Sequence, residues 1–485
     1  MRSWRHCLVC PGPLFPLWLA GCQERGLGAD MGHERRVGLR GVWVAALMGW
    51  GLGCGGAQEG PVEARVEENP ATSAPVQPAP PEQALPPQEA LPVPPPAIPE
   101  APATPPWSQR QGGPQDDTGT SVAVDASGEV VWAWVSTPRE DKDREPVEGQ
   151  RRAITLSRST ADGRTVWSHE FPRNHVSELR VGVAGDGTSY LSGNAFLYAV
   201  DFGLGAADDG FLVHFSEKGT PLWQRRVGQK VHGLASDATG DALVSGEDWT
   251  AQTHVPLLAR YAADGSIRWA RRFEEAGEGS EPGPVALAPS GSAVFAGTFF
   301  DVLEVDGHAF GTKNARSLVI LQFNPAGGLS WGQDLPGVDG HISGVAVMPD
   351  GSVVVTGEAL DPVSWGDTKL PSAGPFVLTA DAQGQPRWLR RPACDDMSSP
   401  PSVAVEPGGT VVTACGSRLS LYGADGAPRG ERTLQPENCT EGACTVTSTA
   451  VAPTGGGELV VTGSQRHGVT TDGWNQDAFL RLVTP

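Results

Sequence analysis

Four cysteines in the body of this 485-residue chain are spaced in a way that suggests disulfide chemistry. Cys394, Cys415, Cys439 and Cys444 lie in the body of the chain, and an even number of cysteines in an exported protein predicts two disulfides. Three pairings are possible. Cys394 precedes the first strand and Cys415 ends the second strand of one predicted hairpin, so antiparallel pairing brings them side by side. We therefore expect Cys394–Cys415 and Cys439–Cys444.

Aromatic residues in long predicted loops form a second group of candidates. An exposed ring on a loop can anchor a partner or stack on a sugar, so these residues define a candidate binding rim. They are Trp249, Phe299, Phe300, Trp365 and Trp474. The alternative is that they pack small hairpins within the loops, which the sequence around Trp365 favours.

Motifs for metal binding and catalysis are not recognisable. No zinc-type Cys/His spacing or phosphate-binding glycine loop occurs, and acidic loops 201–209 and 274–281 lack a known Ca²⁺-ligand spacing. His232 and His341 could bind a metal or act in acid–base chemistry, although solvated or capping roles are simpler interpretations. We therefore predict no catalytic residue, no metal and no cofactor.

Residues 1–54 contain two segments with the basic start and short apolar run of a secretory signal. The first ends at Cys22, and the second begins at Met31 and ends at Cys54. A cysteine after small residues at such a position resembles the lipobox of bacterial lipoproteins, whose thiol receives the lipid. We favour Cys54, with Met31 as the true start, because only Cys54 leads directly into a linker. Lipidation of Cys22 and an ordinary cleaved signal are the alternatives.

The segment after the signals has the composition of a tether. Residues 61–106 hold 16 prolines in 46 positions, and proline fixes φ and cannot donate a backbone hydrogen bond. We predict a disordered tether over residues 55–104 and a folded body over residues 105–485. The formal charge of −20 argues against nucleic acid or an anionic membrane surface as a partner. Membrane contact is therefore expected through the lipid anchor alone.

The body repeats one hairpin pattern seven times. Alternating apolar residues lead into a glycine turn and continue beyond it, which predicts an antiparallel β-hairpin. The clearest copy is residues 345–357, with the sequence VAVMPDGSVVVTG. The other copies span residues 121–131, 183–193, 234–246, 285–297, 403–416 and 451–463.

An apolar strand, a glycine turn and a strand with tryptophan follow most of these hairpins. The signature Gly-x-x-x-Trp recurs as Gly163/Trp167, Gly219/Trp223, Gly265/Trp269, Gly327/Trp331 and Gly384/Trp388. In the sixth copy Gly430 replaces the tryptophan. Each unit therefore predicts four antiparallel strands, named A to D, and we place the tryptophans in the core between units. A lone sheet cannot bury both faces, so the sheets must stack, and radial stacking gives a β-propeller.

The two ends of the body predict how the ring closes. The seventh unit stops after its C strand at residues 479–483, whereas Pro106-Trp107 upstream of the first unit has the signature of a D strand. We predict that residues 105–111 pair with residues 477–483. The expected fold is all-β, a seven-bladed β-propeller of four-stranded antiparallel blades.

Two families resemble this pattern over residues 107–485. The glycine hairpins ending in Thr/Ser-Gly and the Asp-Gly-x-x-x-Trp signature resemble the SBBP-type repeats of bacterial surface lipoproteins. The Gly-x-x-x-Trp part is also similar to the tryptophan-docking motif of pyrroloquinoline-quinone propellers, although the adjacent cysteine pair of the quinone-dependent dehydrogenases is missing. The resemblance implies a scaffold that for the most part has no assigned activity.

These observations favour a non-enzymatic scaffold. We expect a monomeric, lipid-anchored propeller at the bacterial cell envelope, in the outer membrane and either periplasmic or surface-exposed. The longer B–C connections and the D–A connections share one rim, where a protein or glycan partner is expected to bind. Two alternatives remain, an outer-membrane assembly lipoprotein with a stable partner and a hydrolase whose carboxylates are paired on the rim or in the channel.

Overall fold

The computed structural model describes residues 106–112, 116–137, 153–171, 176–249, 254–395, 400–439, 444–470 and 473–484. Cys22, Cys54 and the predicted tether lie outside these residues. Every helix or strand element in the described part of the chain is a β-strand. No helix that could cross a membrane occurs among the described residues.

Seven four-stranded antiparallel sheets form the blades, and most strands pair with their neighbours in chain order. Blade 1 contains β2 (Asp116–Val124), β3 (Val130–Thr137), β4 (Ala153–Ser159) and β5 (Thr165–Phe171). Blade 2 contains β6 (Val176–Val183), β7 (Ser189–Asp201), β8 (Ala206–Phe215) and β9 (Pro221–Arg226). Blade 3 contains β10 (Lys230–Ser236), β11 (Ala242–Trp249), β12 (His254–Tyr261) and β13 (Ile267–Arg272).

Blades 4 and 5 each carry an additional two-stranded hairpin between strands B and C. Blade 4 contains β14 (Glu281–Leu287), β15 (Ala293–Phe300), β18 (Arg316–Phe323) and β19 (Leu329–Leu335), with the hairpin β16 (Leu303–Val305) and β17 (His308–Phe310). Blade 5 contains β20 (Gly340–Val347), β21 (Val353–Ala359), β24 (Gly374–Ala380) and β25 (Pro386–Arg390), with the hairpin β22 (Val363–Trp365) and β23 (Thr368–Leu370).

Blades 6 and 7 complete the ring. Blade 6 contains β26 (Ser402–Val405), β27 (Val411–Cys415), β28 (Arg418–Tyr422) and β29 (Pro428–Thr433). Blade 7 contains β30 (Thr445–Pro453), β31 (Leu459–Thr470), β32 (Gly473–Val483) and β1 (Ser108–Gln111). The A strands of neighbouring blades contact one another around the ring and therefore line a central channel. The predicted seven-bladed β-propeller is confirmed.

Ring closure takes place within blade 7. Strand β1 pairs antiparallel with β32 in the register Ser108 with Arg481 through Gln111 with Ala478. The Leu482 N–H also donates a hydrogen bond to the Trp107 carbonyl at 3.0 Å. The predicted pairing of the two ends of the body is confirmed.

The hydrophobic core lies between the blades. In the B strand of blade 1, Val130 and Trp132 pack in a cluster with blade 7, whereas Val131 and Ala133 pack in a cluster with blade 2. Seven such clusters each join two neighbouring blades. Because both faces of the inner strands are buried, these strands are almost continuously apolar.

At six of the seven junctions between blades, a tryptophan at the D strand of one blade forms a hydrogen bond with the next blade. Each indole Nε1–H donates a hydrogen bond to a carbonyl in the C–D turn of the next blade. The pairs are Trp107–Ala161 (2.8 Å), Trp167–Glu217 (2.8 Å), Trp223–Ala263 (2.8 Å), Trp269–Pro325 (3.1 Å), Trp331–Ala382 (3.1 Å) and Trp388–Ala424 (3.0 Å). The turn glycine lies against the ring: Gly163 has φ +83°, and a Cβ there would lie 2.6 Å from the Trp107 ring. The motif therefore requires glycine for its backbone conformation and for the ring packed on it.

The junction between blades 6 and 7 explains the irregular sixth repeat. Gly430 pairs with Leu421 at the D-strand position that tryptophan occupies in the other blades, and the space around it is open. The C and D strands of blade 7 come from opposite ends of the propeller chain, so no C–D turn joins them. A tryptophan at position 430 would have no turn carbonyl to reach, and its absence matches the site of ring closure.

Candidate functional site

One mouth of the central channel holds a cluster of charged side chains, built on irregularities in the A strands. Six of the seven A strands contain a β-bulge at the same level, which frees one or two residues from the ladder and redirects their side chains. The bulges lie between Gly119 and Ser121, Ser177 and Arg180, Val231 and Gly233, Pro282 and Val285, Ile342 and Gly344, and Ser448 and Ala450. Blades 2 and 3 place ionisable residues at these positions.

The bulge of blade 2 has an unusual backbone. Glu178 has φ +54°, a left-handed conformation that is uncommon for residues other than glycine. Its neighbour Leu179 is completely buried in the core, whereas the Glu178 carboxylate reaches His232 of blade 3. Strained backbone of this kind persists where the surroundings impose it, often at functional sites.

His232 lies between two carboxylates. Its Nδ1 is 3.2 Å from Glu178 Oε2, and its Nε2 is 3.6 Å from Glu247 Oε1, a separation that allows an ion pair but is too long for a hydrogen bond. Burial opposes the charged imidazolium, but the hydrogen bond and charge of Glu178 and the charge of Glu247 outweigh burial and raise the pKa of His232 to about 9. His232 is therefore protonated at neutral pH.

The two carboxylates are held in their ionised forms. Burial favours the neutral acid of Glu247, but His232 and Lys230 dominate and lower its pKa to about 2. The pKa of Glu178 is also lowered, because His232, Arg180 and Lys230 together outweigh the effect of burial. This paired arrangement is one that the hydrolase alternative predicted. However, neither carboxyl group carries a proton to donate at neutral pH, and the imidazole is not free to accept one.

Arg180 adds a cation without a counter-ion in contact. Its Nη1–H donates to the Leu179 carbonyl at 3.1 Å, and no described carboxylate forms an ion pair with its half-buried guanidinium. Burial lowers the pKa of Arg180, and the nearby charge of Glu178 opposes that shift. An arginine retains its charge under these conditions, so Arg180 is a partly desolvated cation with unused donors.

His341 lies across the channel mouth from this cluster. Burial lowers its pKa, and the charges that act on it come from Glu281, Glu178, His232 and Arg180. These interactions place the five groups around one opening. Glu281 is itself paired with Arg316, at 2.9 Å.

An aromatic group extends the cluster to the outer surface of the same rim. Lys230 Nζ lies 3.4 Å from Glu247 Oε1 and 5.3 Å from the centre of the Trp249 ring. Trp249 stacks on His254 with ring centres 5.1 Å apart, and 41% of the tryptophan is exposed. A connected row of side chains therefore runs from Trp249 on the rim to His232 and Glu178 in the channel.

The five predicted rim aromatics differ in how exposed their side chains are. Trp249 is exposed, and Phe300 is partly buried. Phe299 is completely buried because strand β15 continues past its predicted end, and it packs on Phe273 and Phe295. Trp365 is 4% exposed and donates to the Thr379 carbonyl from hairpin β22–β23. The expected exposure of Phe299 and Trp365 is therefore wrong, and the Trp474 side chain lies outside the described residues.

Other sequence-based candidates have different outcomes. The disulfides Cys394–Cys415 and Cys439–Cys444 are both formed. His232 and His341 belong to strands β10 and β20, not to the connections before them. No group of three or more potential metal ligands occurs in the described ranges of the chain.

Two cavities lie away from the charged cluster. One of about 320 Å³ opens at the end of the channel where the turns between strands A and B lie. It is lined largely by valines and prolines, including Val124, Val347 and Pro349. Another of about 350 Å³ lies between blades 6 and 7, beside Trp107 and Leu434. We place the candidate site at the charged mouth because it gathers ionised groups and an exposed aromatic ring.

No protein family matches the sequence, and no curated protein does either. Solved propeller structures are similar at low identity. The WD40 domain of Neurospora crassa Pan2 is 8% identical over 76% of this chain and 89% of that chain, with a TM-score of 0.41. Hydrazine synthase of Kuenenia stuttgartiensis is 11% identical over 74% and 94%, with a TM-score of 0.45. A gluconolactonase of Xanthomonas campestris is 16% identical over 64% and 86%, with a TM-score of 0.35. These similarities do not bear on function.

The sequence interpretation missed Glu178, Arg180, Lys230 and Glu247. A signal was present in the repeats, because ladder pairing aligns Arg180 with small residues of other blades. The aligned residues are Ser121, Gly233, Gly344 and Ala450. A charged residue at a position that is otherwise small marks blade 2 as different.

Proposed function

We propose that this protein is an exported, lipid-anchored β-propeller that acts as a non-enzymatic binding scaffold at the bacterial cell envelope. Its partner, a protein or a glycan, binds the rim formed by the B–C and D–A connections. The observation that supports this proposal is the exposed Trp249 joined to the charged channel mouth through Lys230. An exposed aromatic side chain beside convergent polar groups is a common basis of recognition.

The protonation states at the mouth favour binding over catalysis. General acid–base catalysis is most efficient when a group's pKa lies near the working pH. The pKa values of His232 and Glu247, about 9 and about 2, lie well away from neutrality on opposite sides. These groups supply fixed charges and hydrogen-bonding positions for a ligand.

The anchor is proposed from the sequence pattern alone. The lipid is attached to Cys54, with Cys22 as the alternative, and the proline-rich segment separates it from the propeller. Mass spectrometry of the mature N-terminus tests this: a lipid-modified cysteine at residue 54 or 22 supports it, and an unmodified cleaved terminus contradicts it.

The rim is tested by comparing two substitutions of exposed apolar residues. We expect Trp249→Ala to reduce capture of partners from envelope extracts and binding on a glycan array. The matched control is Ile267→Ala, because Ile267 is 59% exposed and begins the outer D strand of blade 3, away from this rim. Equal retention of binding by both variants would contradict a role for the Trp249 part of the rim.

A further inference from the structure

The charged mouth and Trp249 together indicate the chemical class of ligand. Resting on the proposed binding function of the rim, we propose that the site recognises a carboxylate-bearing saccharide. The carboxylate binds Arg180, and a sugar ring packs against Trp249.

Arg180 supplies the specific attraction for a carboxylate. Its guanidinium has five N–H donors in a planar fork, and the only hydrogen bond it makes among the described residues goes to the Leu179 carbonyl. A partly desolvated cation without a counter-ion is unfavourable, and a carboxylate compensates through two parallel hydrogen bonds. The aligned residues Ser121, Gly233 and Gly344 carry no charged side chain, so the guanidinium at this position distinguishes blade 2 from those three blades.

The local charge also favours an anion. The protein as a whole carries a charge of −20, but the inner cluster is different. Arg180, Lys230 and protonated His232 provide three positive charges against the two of Glu178 and Glu247. Across the mouth, Arg316 is shared between Glu281 and Asp339, so the excess positive charge is confined to the inner cluster.

The arrangement favours a saccharide over an acidic peptide. Sugar hydroxyls both donate and accept hydrogen bonds, and the mouth offers acceptors on Glu178 together with donors on Lys230. A run of acidic side chains brings only acceptors, with no hydroxyl group to donate to the Glu178 carboxylate. The row of contacts from Glu178 through His232, Glu247 and Lys230 to Trp249 gives several sugar units a continuous surface, and the charge of Arg180 acts on Glu178 at its inner end.

Calorimetric titration of the full chain tests the proposal with three probes. These are a tetramer of galacturonic acid, its neutral methyl ester and a hexaglutamate peptide. We expect the tetramer to bind best, with binding that weakens at high salt because the attraction is partly ionic. Arg180→Leu should weaken binding of the tetramer at least tenfold, since hydrogen bonds to charged groups are the strong ones. Arg180→Lys should give an intermediate loss because the charge remains and the fork is lost.

Two controls separate folding and general charge effects from recognition. Arg226→Leu removes the same charge from the outer strand of blade 2, where Arg226 pairs with Asp209, and should leave binding unchanged. Thermal melting of each variant checks that the propeller is intact. Trp249→Ala should weaken the tetramer and its ester alike, because ring packing does not depend on the carboxylate.

The outcomes distinguish the inference from the function on which it rests. No binding of the tetramer, equal binding of tetramer and ester, preference for hexaglutamate or an unaffected Arg180→Leu variant would each overturn the inference. The proposed function survives those results if an envelope protein or neutral glycan still binds and Trp249→Ala reduces that binding. If Trp249→Ala reduced the binding of no ligand or partner, both the inference and the proposed function would be overturned.

Discussion

The ion pairs of His232 make the stability of the propeller depend on pH above neutrality. Unfolded histidine has a pKa near 6.5, and in the folded protein the pKa of His232 rises to about 9. A raised pKa means that the stabilising contribution is complete below pH 6.5 and is lost as the pH rises through 9. At 1.36 kcal/mol for each pKa unit, the loss is about 3 kcal/mol.

Urea unfolding followed by tryptophan fluorescence measures this effect. We expect the unfolding free energy of the wild type to fall between pH 6 and pH 9.5 by about 3 kcal/mol more than that of His232→Gln. The change with pH is the relevant quantity, since the variant also leaves Glu178 and Glu247 without their partner. Glu247 titrates in the opposite range: its lowered pKa stabilises above pH 4.5, and this contribution is lost as the pH falls toward 2.

A matched histidine tests whether the effect belongs to this site. His308 is exposed on strand β17, and His308→Gln should keep the wild-type pH dependence. If wild type and His232→Gln lose the same stability between pH 6 and pH 9.5, the ion-paired arrangement does not control the protonation of His232. The same result would remove the charge on which the saccharide proposal partly depends.

Two further predictions concern the fold. Trp107→Ala removes the partly buried indole packed on Gly163 and its hydrogen bond to Ala161, and should cost about 2–3 kcal/mol in urea unfolding. The same substitution at Trp249, which loses only its contacts with Lys230 and His254, should cost about 1 kcal/mol or less, and equal losses would refute the role of Trp107 in ring closure. Replacing Cys394 and Cys415 by alanine opens a bridge spanning 21 residues and should cost about 3 kcal/mol, measured against the wild type under oxidising conditions. An unchanged unfolding midpoint would show that this disulfide does not stabilise blade 6.

The fold was predictable because every repeat carries the same information. Alternating apolar residues around a glycine turn specify a hairpin, and seven copies leave little choice of architecture. Even the closing strand was detectable, since Trp107 has the signature of a D strand without the strands that should precede it. Repetition makes such exceptions visible.

The site was less predictable because it arises where repeats differ in backbone geometry. Glu178 reaches His232 only through a two-residue bulge with positive φ, which differs from the one-residue bulges of most other blades. Phe299 and Trp365 look like loop aromatics in sequence, but a longer strand and an added hairpin bury them. Exposure depends on where each connection folds back, which neighbouring blades decide.

The tryptophan-less blade 6 and the turn-less blade 7 constrain how such a chain can change its number of repeats. Duplicating a unit among blades 1 to 5 supplies both a donor indole and an acceptor turn, so every new junction is complete. A unit inserted between blades 6 and 7 separates the two exceptions and leaves a turn carbonyl with no indole to bind it. Gain or loss of a repeat is therefore least disruptive among blades 1 to 5. Blades 6 and 7 must stay adjacent, because each lacks the half of the contact that the other would need.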